Sequence, residues 1–282
     1  MPAPAIAILT DFGTLDPYVG IMKGVMRRVG YPGPFIDLTH HIPPGDIARA
    51  AFVLWQSRDA FPRGTVFLIV VDPGVGTQRR AIRVDSAGYS FIAPDNGVLT
   101  YLLTLDPHAR AWELRAPAYR LPRVSTTFHG RDIFAPAAAH SALGVPGPAF
   151  GPALGLDALV RIPLPRLQIY PDRIEGQTLH ADRFGNVLTS LGRLEPAPPS
   201  WRLEPWLGQG PSRALPTVRG VALPDGRVLP LVRTFGDVAP GEAAALVGST
   251  GLIEIVINQG SAAQTLGLRF GQPVALLLEG TA

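Results

Sequence analysis

The first half of the chain alternates between short unbroken apolar runs and stretches whose apolar residues are spaced three and four apart. Residues 5–9 and 65–71 are almost wholly apolar, the second β-branched, as expected of strands covered on both faces. Residues 18–29 carry the helical spacing, residues 35–38 form another strand, and Asp46 caps a helix reaching to about residue 59. Further strands are expected at 82–84 and 89–92, a short helix at 97–103, and a longer one at 133–143 with Asp132 as its N-cap. Strands alternating with helices predict an α/β fold, a layered domain on a largely parallel sheet.

The texture changes near Pro146. Prolines 146, 148, 152, 163, 165 and 171 interrupt the stretch from 144 to 172, and beyond it the apolar runs are short and separated by turns such as Pro224-Asp225-Gly226 and Pro240-Gly241. Strands are expected at 174–181, 187–190, 217–223, 228–232, 244–247, 252–257 and 274–278. The chain therefore divides into an N-terminal α/β domain (1–160), a proline-rich linker (161–172) and a smaller C-terminal β-barrel domain (173–282).

Composition narrows the class. Apolar residues make up 46% of the 282 and charged residues 17%, enough for a sizeable core and too ordered a pattern for a disordered chain. The 25 basic and 22 acidic residues nearly cancel, and no basic run exceeds two residues, which speaks against a nucleic-acid partner. The longest uncharged stretch, 133–156, is broken by Pro and Gly, so no membrane span is expected. Without cysteine there is no disulfide, thiolate metal site or thiol nucleophile. The opening Met1-Pro2-Ala3-Pro4 lacks a basic leader region, and a cytoplasmic protein is the expectation.

Four polar clusters fall at strand ends or turns, where open α/β sheets place ligands. Asp11, in Thr10-Asp11-Phe12-Gly13, can accept both hydroxyls of a ribose or cap a helix. Asp72 ends a buried strand and is followed by Pro73-Gly74-Val75-Gly76 and the pair Arg79-Arg80; an Asp–Arg pair serves structure as readily as chemistry. This Gly-x-Gly lacks a third glycine and precedes a strand, so it is not a dinucleotide fingerprint. Asp95 and Asn96 suit a capped turn. His129, ahead of Gly130-Arg131-Asp132, fits either a general base or an ordinary hydrogen-bonded histidine. In the second half, Asp182, Asn186, Ser249 and Asn258 lie in turns or just after a strand; an Asn amide donates and accepts, as an adenine edge requires. His40 and His41 are adjacent and no HxxxH or HExxH spacing occurs, so no metal is expected. No G-x-S-x-G elbow supports a serine hydrolase.

Taken in order, the motifs resemble one family: the S-adenosyl-L-methionine hydroxide adenosyltransferases, relatives of the bacterial fluorinase and chlorinase. The resemblance runs through Thr10-Asp11-Phe12-Gly13, Tyr18-Val19-Gly20, Lys23-Gly24-Val25, Asp37-Leu38-Thr39-His40, Val71-Asp72-Pro73-Gly74-Val75-Gly76, Pro94-Asp95-Asn96-Gly97, Phe128-His129-Gly130-Arg131-Asp132, Asp182-Arg183-Phe184-Gly185-Asn186 and Gly248-Ser249-Thr250-Gly251. It implies hydrolysis of S-adenosyl-L-methionine (SAM) to adenosine and L-methionine, with SAM as substrate and no cofactor. It also implies a homotrimer whose ligand lies between one subunit's N-domain and its neighbour's C-domain. By the same resemblance Asp11 takes the ribose hydroxyls, while Asp182, Asn186, Ser249 and the stretch near Asn258 hold the methionine part and the adenine. Asp72, His129 and one of the two arginines, Arg79 by spacing, match a water-handling triad. The chain departs from the fluorinase pattern at Asp72 (there a tyrosine), Gly130 (there a halide-binding serine) and Gly45 (there a tryptophan). A carboxylate repels a halide and can orient water, which favours hydrolysis. The alternatives are a SAM-dependent halogenase and a non-catalytic SAM or adenosine sensor.

Overall fold

The two apolar runs pair side by side. In the computed structural model, which describes residues 3–198 and 200–279, β1 (Ile6–Thr10) lies parallel to β3 (Val66–Val70) with Ile6 opposite Val66 and Thr10 opposite Val70, and every residue of both strands is buried. The outer limits of the expected domains, residues 1 and 282, lie outside the described residues. By contacts the chain divides into two units, Met1–Ile162 and Pro163–Ala282.

The first unit is a mixed α/β layer structure. After β1 come α1 (Tyr18–Arg28), β2 (Phe35–Thr39), α2 (Ile47–Ser57), then β3, β4 (Ala81–Ser86), β5 (Tyr89–Pro94), α3 (Thr100–Leu105), β6 (Arg110–Glu113), α4 (Ala135–Ala142) and β7 (Ala153–Leu154). The sheet order is β2-β1-β3-β5-β4-β6-β7. The first four strands in that order run parallel, and β4, β6 and β7 extend the sheet antiparallel. Alternate residues feed opposite layers: Ile6, Ile8 and Leu68 meet Met22, Met26 and Phe134, whereas Ala7, Leu9 and Phe67 meet Ala50, Leu54 and Leu102. α1 and α4 thus cover one face, α2 and α3 the other. The Asp46 side chain caps α2 by accepting from the Arg49 N–H at 2.9 Å, as expected.

Two local expectations fail in this unit. The short helix begins at Thr100 rather than 97, because Asn96 spends its side chain on Val71 O and Val98 N and Gly97 turns through φ +97°. Asp132 is not an N-cap. It lies inside a π-helical turn, Gly130–Phe134, with its carboxylate fully buried against Arg131 and the Ser125 N–H. Strands β6 and β7 went unforeseen because four and two residues are too short to show a period.

The second unit comprises β8 (Leu167–Ile169), β9 (Arg173–Ala181), β10 (Val187–Ala197), β11 (Ser200–Glu204), β12 (Arg213–Ala214), β13 (Val218–Ala222), β14 (Val228–Leu229), β15 (Leu231–Val232), β16 (Ala243–Val247), β17 (Leu252–Ile257), α5 (Ala262–Thr265) and β18 (Pro273–Leu278). Its order β14-β13-β18-β9-β10-β17-β16-β15 curls into a nearly closed barrel around Ile174, Val187, Leu191, Val221, Ile253, Ile255 and Leu276. β8 falls in the stretch expected to be linker and pairs with β9. The single strand expected at 228–232 is split at Pro230, which lacks the N–H a continuous ladder needs. Among the described residues no helix is long and apolar enough to cross a membrane.

Candidate active site

Because β1 and β3 run parallel and in register, Asp11, one residue past β1, and Asp72, two residues past β3, emerge at the same end of the sheet. The turn after Asp72 is tied by Val75 N to Asp72 O (3.2 Å) and Thr77 N to Gly74 O (3.1 Å), and it returns Arg79 to Asp72. Gly76 has φ +79°, and a β-carbon there would collide with the carbonyl of Thr126, so glycine is required where this turn meets the His129 loop.

Arg79 joins the cluster together. Its Nε donates to Asp72 Oδ1 at 2.8 Å and its Nη2 to Asp72 Oδ2; Nη2 also donates to His129 Nδ1 at 2.7 Å. The guanidinium carbon lies 5.1 Å from the centre of the Phe134 ring, which holds the fork in place. The Asp72 side chain is 5% exposed and that of Arg79 10%. Arg80 points elsewhere: it pairs with buried Asp95 and donates to Ala158 O. Asp95 also accepts from Val160 N, so the Arg80–Asp95 cluster is a structural tie within this unit.

His129 sits just before the π turn, a helical irregularity frequent at functional sites. Burial pushes its pKa down, the Arg79 charge adds to that, and the carboxylates of Asp72 and Asp132 only partly offset them. The ring is therefore neutral near pH 7. Since Nδ1 accepts from Arg79, Nε2 carries the proton. Asp132 stays ionised although burial opposes this, because Arg131 and the Ser125 N–H hold its carboxyl below the usual range.

Asp11 accepts the Gly45 N–H at 2.8 Å with one oxygen, and its other oxygen has no hydrogen-bond partner among the described residues. Beside this turn Phe12, Tyr18 and Phe128 form an edge-to-face trio with centroids 5.2–6.1 Å apart. Gly130 is packed beneath it: a β-carbon there would stand 3.3 Å from Met22 Sδ and from the Phe128 ring.

In the second unit Asp182 organises its own turn, accepting from Phe184 N (2.8 Å), Asn186 N (2.9 Å) and Asn186 Nδ2 (3.0 Å). A cleft of about 510 Å³ is lined by Phe184, Asn186, Phe235, Ile257, Asn258, Gln259 and Gly260. Asn186 and Asn258, both expected to contact ligand, line it; the aromatic walls Phe184, 79% exposed, and Phe235 were not foreseen. Asn258 donates its amide to Val238 O at 2.8 Å, which leaves its oxygen as acceptor. Ser249 is exposed on the turn between β16 and β17 and does not line the cleft. Glu254, which sequence reasoning passed over, lies beside that turn against Gly248; burial raises its pKa, and the nearby Asp182 charge adds to the effect.

Comparison with known proteins decides the family. Residues 6–151 match the SAM hydroxide adenosyltransferase N-terminal domain and residues 176–275 the C-terminal domain. The chain belongs to the SAM hydroxide adenosyltransferase family. The (R)-S-adenosyl-L-methionine hydrolase of Thermus thermophilus is 42% identical over 281 residues, 96% of this chain and 99% of its own. That of Salinispora tropica is 42% identical over 96% of each chain. Fluorinases are more distant family relatives, at 30% for the one from Nocardia brasiliensis over 95% of each chain. The crystal structure of an uncharacterized conserved protein from Thermotoga maritima shares the fold, with a TM-score of 0.82 and 33% identity over 96% of this chain and 99% of that one.

The neutral His129 of this family member has a thermodynamic signature. Below its ordinary value of 6.5 the unfolded chain takes up a proton that the folded ring refuses, so stability falls as pH falls through 6.5 towards the depressed folded value. Thermal melts from about pH 7.5 to about pH 5.5 should show the wild type losing stability relative to His129→Gln. Parallel curves would show that His129 is not held neutral.

Proposed function

We propose that this chain hydrolyses SAM, in the (R) sulfonium form named for its relatives, to adenosine and L-methionine. The observation that carries the reading is the part-buried, hydrogen-bonded Asp72–Arg79–His129 assembly, in a chain 42% identical to named hydrolases. A water oxygen attacks C5′ of the ribose, the C5′–S bond breaks, and its electron pair stays on sulfur as the neutral thioether of methionine. The water loses one proton. A thioether leaves without help from an acid, so the protein's task is to align and deprotonate the nucleophile.

The triad is suited to this. His129 offers Nε2–H as a donor that orients the water, and with Nδ1 occupied it has no lone pair free to accept. Each carboxylate oxygen of Asp72 has a second lone pair beyond the one given to Arg79, so Asp72 is assigned the proton. Arg79 holds both and stabilises the developing hydroxide. Asp11 takes the ribose diol with its unoccupied oxygen. Asn186 and Asn258 read the adenine between Phe184 and Phe235, while Asp182 and Ser249 hold the methionine end. These roles divide between the two units, which supports an assembly in which a neighbouring copy completes each site; light scattering should give the mass of three chains, and a monomer mass would remove the neighbour from the account.

A halogenase would need to hold an anion beside the Asp72 carboxylate, which repels it. Incubation with SAM, with and without fluoride or chloride, followed by chromatography, should yield equal adenosine and methionine regardless of halide. A halide-dependent halo-adenosine would move the assignment to the halogenases, and unconverted bound ligand to a sensor. In the same assay Asp72→Asn should slow turnover by about 10²-fold or more while SAM still binds. Unchanged turnover would remove Asp72 from the chemistry.

A further inference from the structure

Under the turn that carries Asp11 runs a chain of polar side chains that the proposed reaction does not use. Thr10 is fully buried and His40 is 6% exposed, and their side chains meet with Oγ1 2.9 Å from Nδ1. His40 Nε2 lies 3.0 Å from Asp37 Oδ1, and Lys23 donates to Asp37 Oδ2 at 2.6 Å. The Phe12 N–H donates to Thr10 Oγ1 at 3.3 Å. One placement of protons serves the whole series: Phe12 N–H into Thr10, the Thr10 hydroxyl into His40 Nδ1, and His40 Nε2–H towards Asp37. The last approach is short but oblique, so it acts as an electrostatic contact rather than an aligned hydrogen bond.

Two backbone bonds complete the fastening. The Gly13 N–H donates to His40 O at 2.7 Å, and the Gly45 N–H to Asp11 Oδ2 at 2.8 Å. Asp11 is therefore flanked on both sides by residues bound to His40, through Thr10 before it and Gly13 after it. The Asp37–His40–Thr10 series has the composition of an acid–base–nucleophile set, yet Thr10 is wholly buried and no substrate can reach its hydroxyl. Burying a threonine hydroxyl and an imidazole is costly unless they are hydrogen-bonded, so the bond between them favours this arrangement.

We propose that His40 is a positioning residue. Acting through Thr10, it sets the Asp11 turn so that the free Asp11 oxygen meets the ribose diol. This rests on the reading of Asp11 as the ribose ligand, and the test separates the two.

Calorimetric binding of adenosine and 2′-deoxyadenosine to the full chain and to Thr10→Val, which keeps the shape and removes the hydroxyl, forms a cycle. Thr10→Val, and His40→Phe, which spares the Phe12–Thr10 bond, should each weaken adenosine binding about tenfold, the scale of one hydrogen bond to a charged site. The penalty for the missing 2′-hydroxyl, present in wild type, should largely vanish in the variant, and Thr10→Ser should restore both. With SAM, KM should rise about as much while kcat changes less than about threefold. If the deoxy penalty is the same in Thr10→Val as in wild type, or if the variant binds as wild type does, His40 holds only the fold. No deoxy penalty in wild type would overturn both Asp11 as ribose ligand and His40 as its positioner. Should wild type bind adenosine but fail to convert SAM, the hydrolase reading falls while the binding cycle still decides the role of His40. If Thr10→Val does not fold, Asp37→Asn at the more exposed end of the chain carries the same test.

Discussion

A guanidinium offers five N–H donors in one plane, and at Arg79 that plane is divided between a carboxylate and an imidazole. Much of the first unit's architecture serves this division. The parallel pairing of β1 and β3 sets the level at which Asp72 leaves the sheet, and the glycine turn to Arg79 brings the cation back over it. The π turn before α4 delivers His129 from a distant part of the chain, and Phe134, on the same turn, covers the guanidinium face. Each partner needs the others: Asp72 unpaired would be a buried charge, and its removal would leave Arg79 in that position.

The same pairing sets the electrostatics for a cationic substrate. A lone buried arginine would repel a sulfonium, but Asp72 cancels its charge and His129 is kept neutral by burial and by Arg79 itself. The triad therefore carries no net charge. Asp11, with one oxygen committed to Gly45 and the other free, stands at the same end of the sheet. On the proposed reading, a neutral, largely buried triad near the Asp11 carboxylate suits a cation whose charge vanishes as the C5′–S bond breaks.

Much of this was legible in the sequence where the signal is dense. The wholly apolar runs of β1 and β3 announce doubly covered strands, and the spacing of Val19, Met22, Val25 and Met26 announces the buried face of α1. The choice of Arg79 over Arg80 was open by composition alone; the structure separates them because Arg79 turns back to Asp72 while Arg80 pairs with Asp95. What could not be read were features set by contacts that no periodic pattern encodes. Asp132 has the local look of an N-cap, but its charge is claimed by Arg131 and by the Ser125 loop. The cleft of the second unit escaped because Phe184 and Phe235 lie 51 residues apart and only the barrel's curl brings them to one cavity. The two-residue strands of the barrel are fixed by their neighbours rather than by any period of their own.

The central claim is that water, oriented by Asp72, Arg79 and His129, attacks C5′ of the ribose. Turnover of SAM in ¹⁸O-labelled water tests it most directly, with the products resolved by mass spectrometry. The account predicts one ¹⁸O in adenosine, on the 5′-hydroxyl, and none in methionine. Label in homoserine accompanied by 5′-methylthioadenosine would place the attack on the methionine chain, and unlabelled adenosine would mean that the oxygen does not come from water; either result would contradict it.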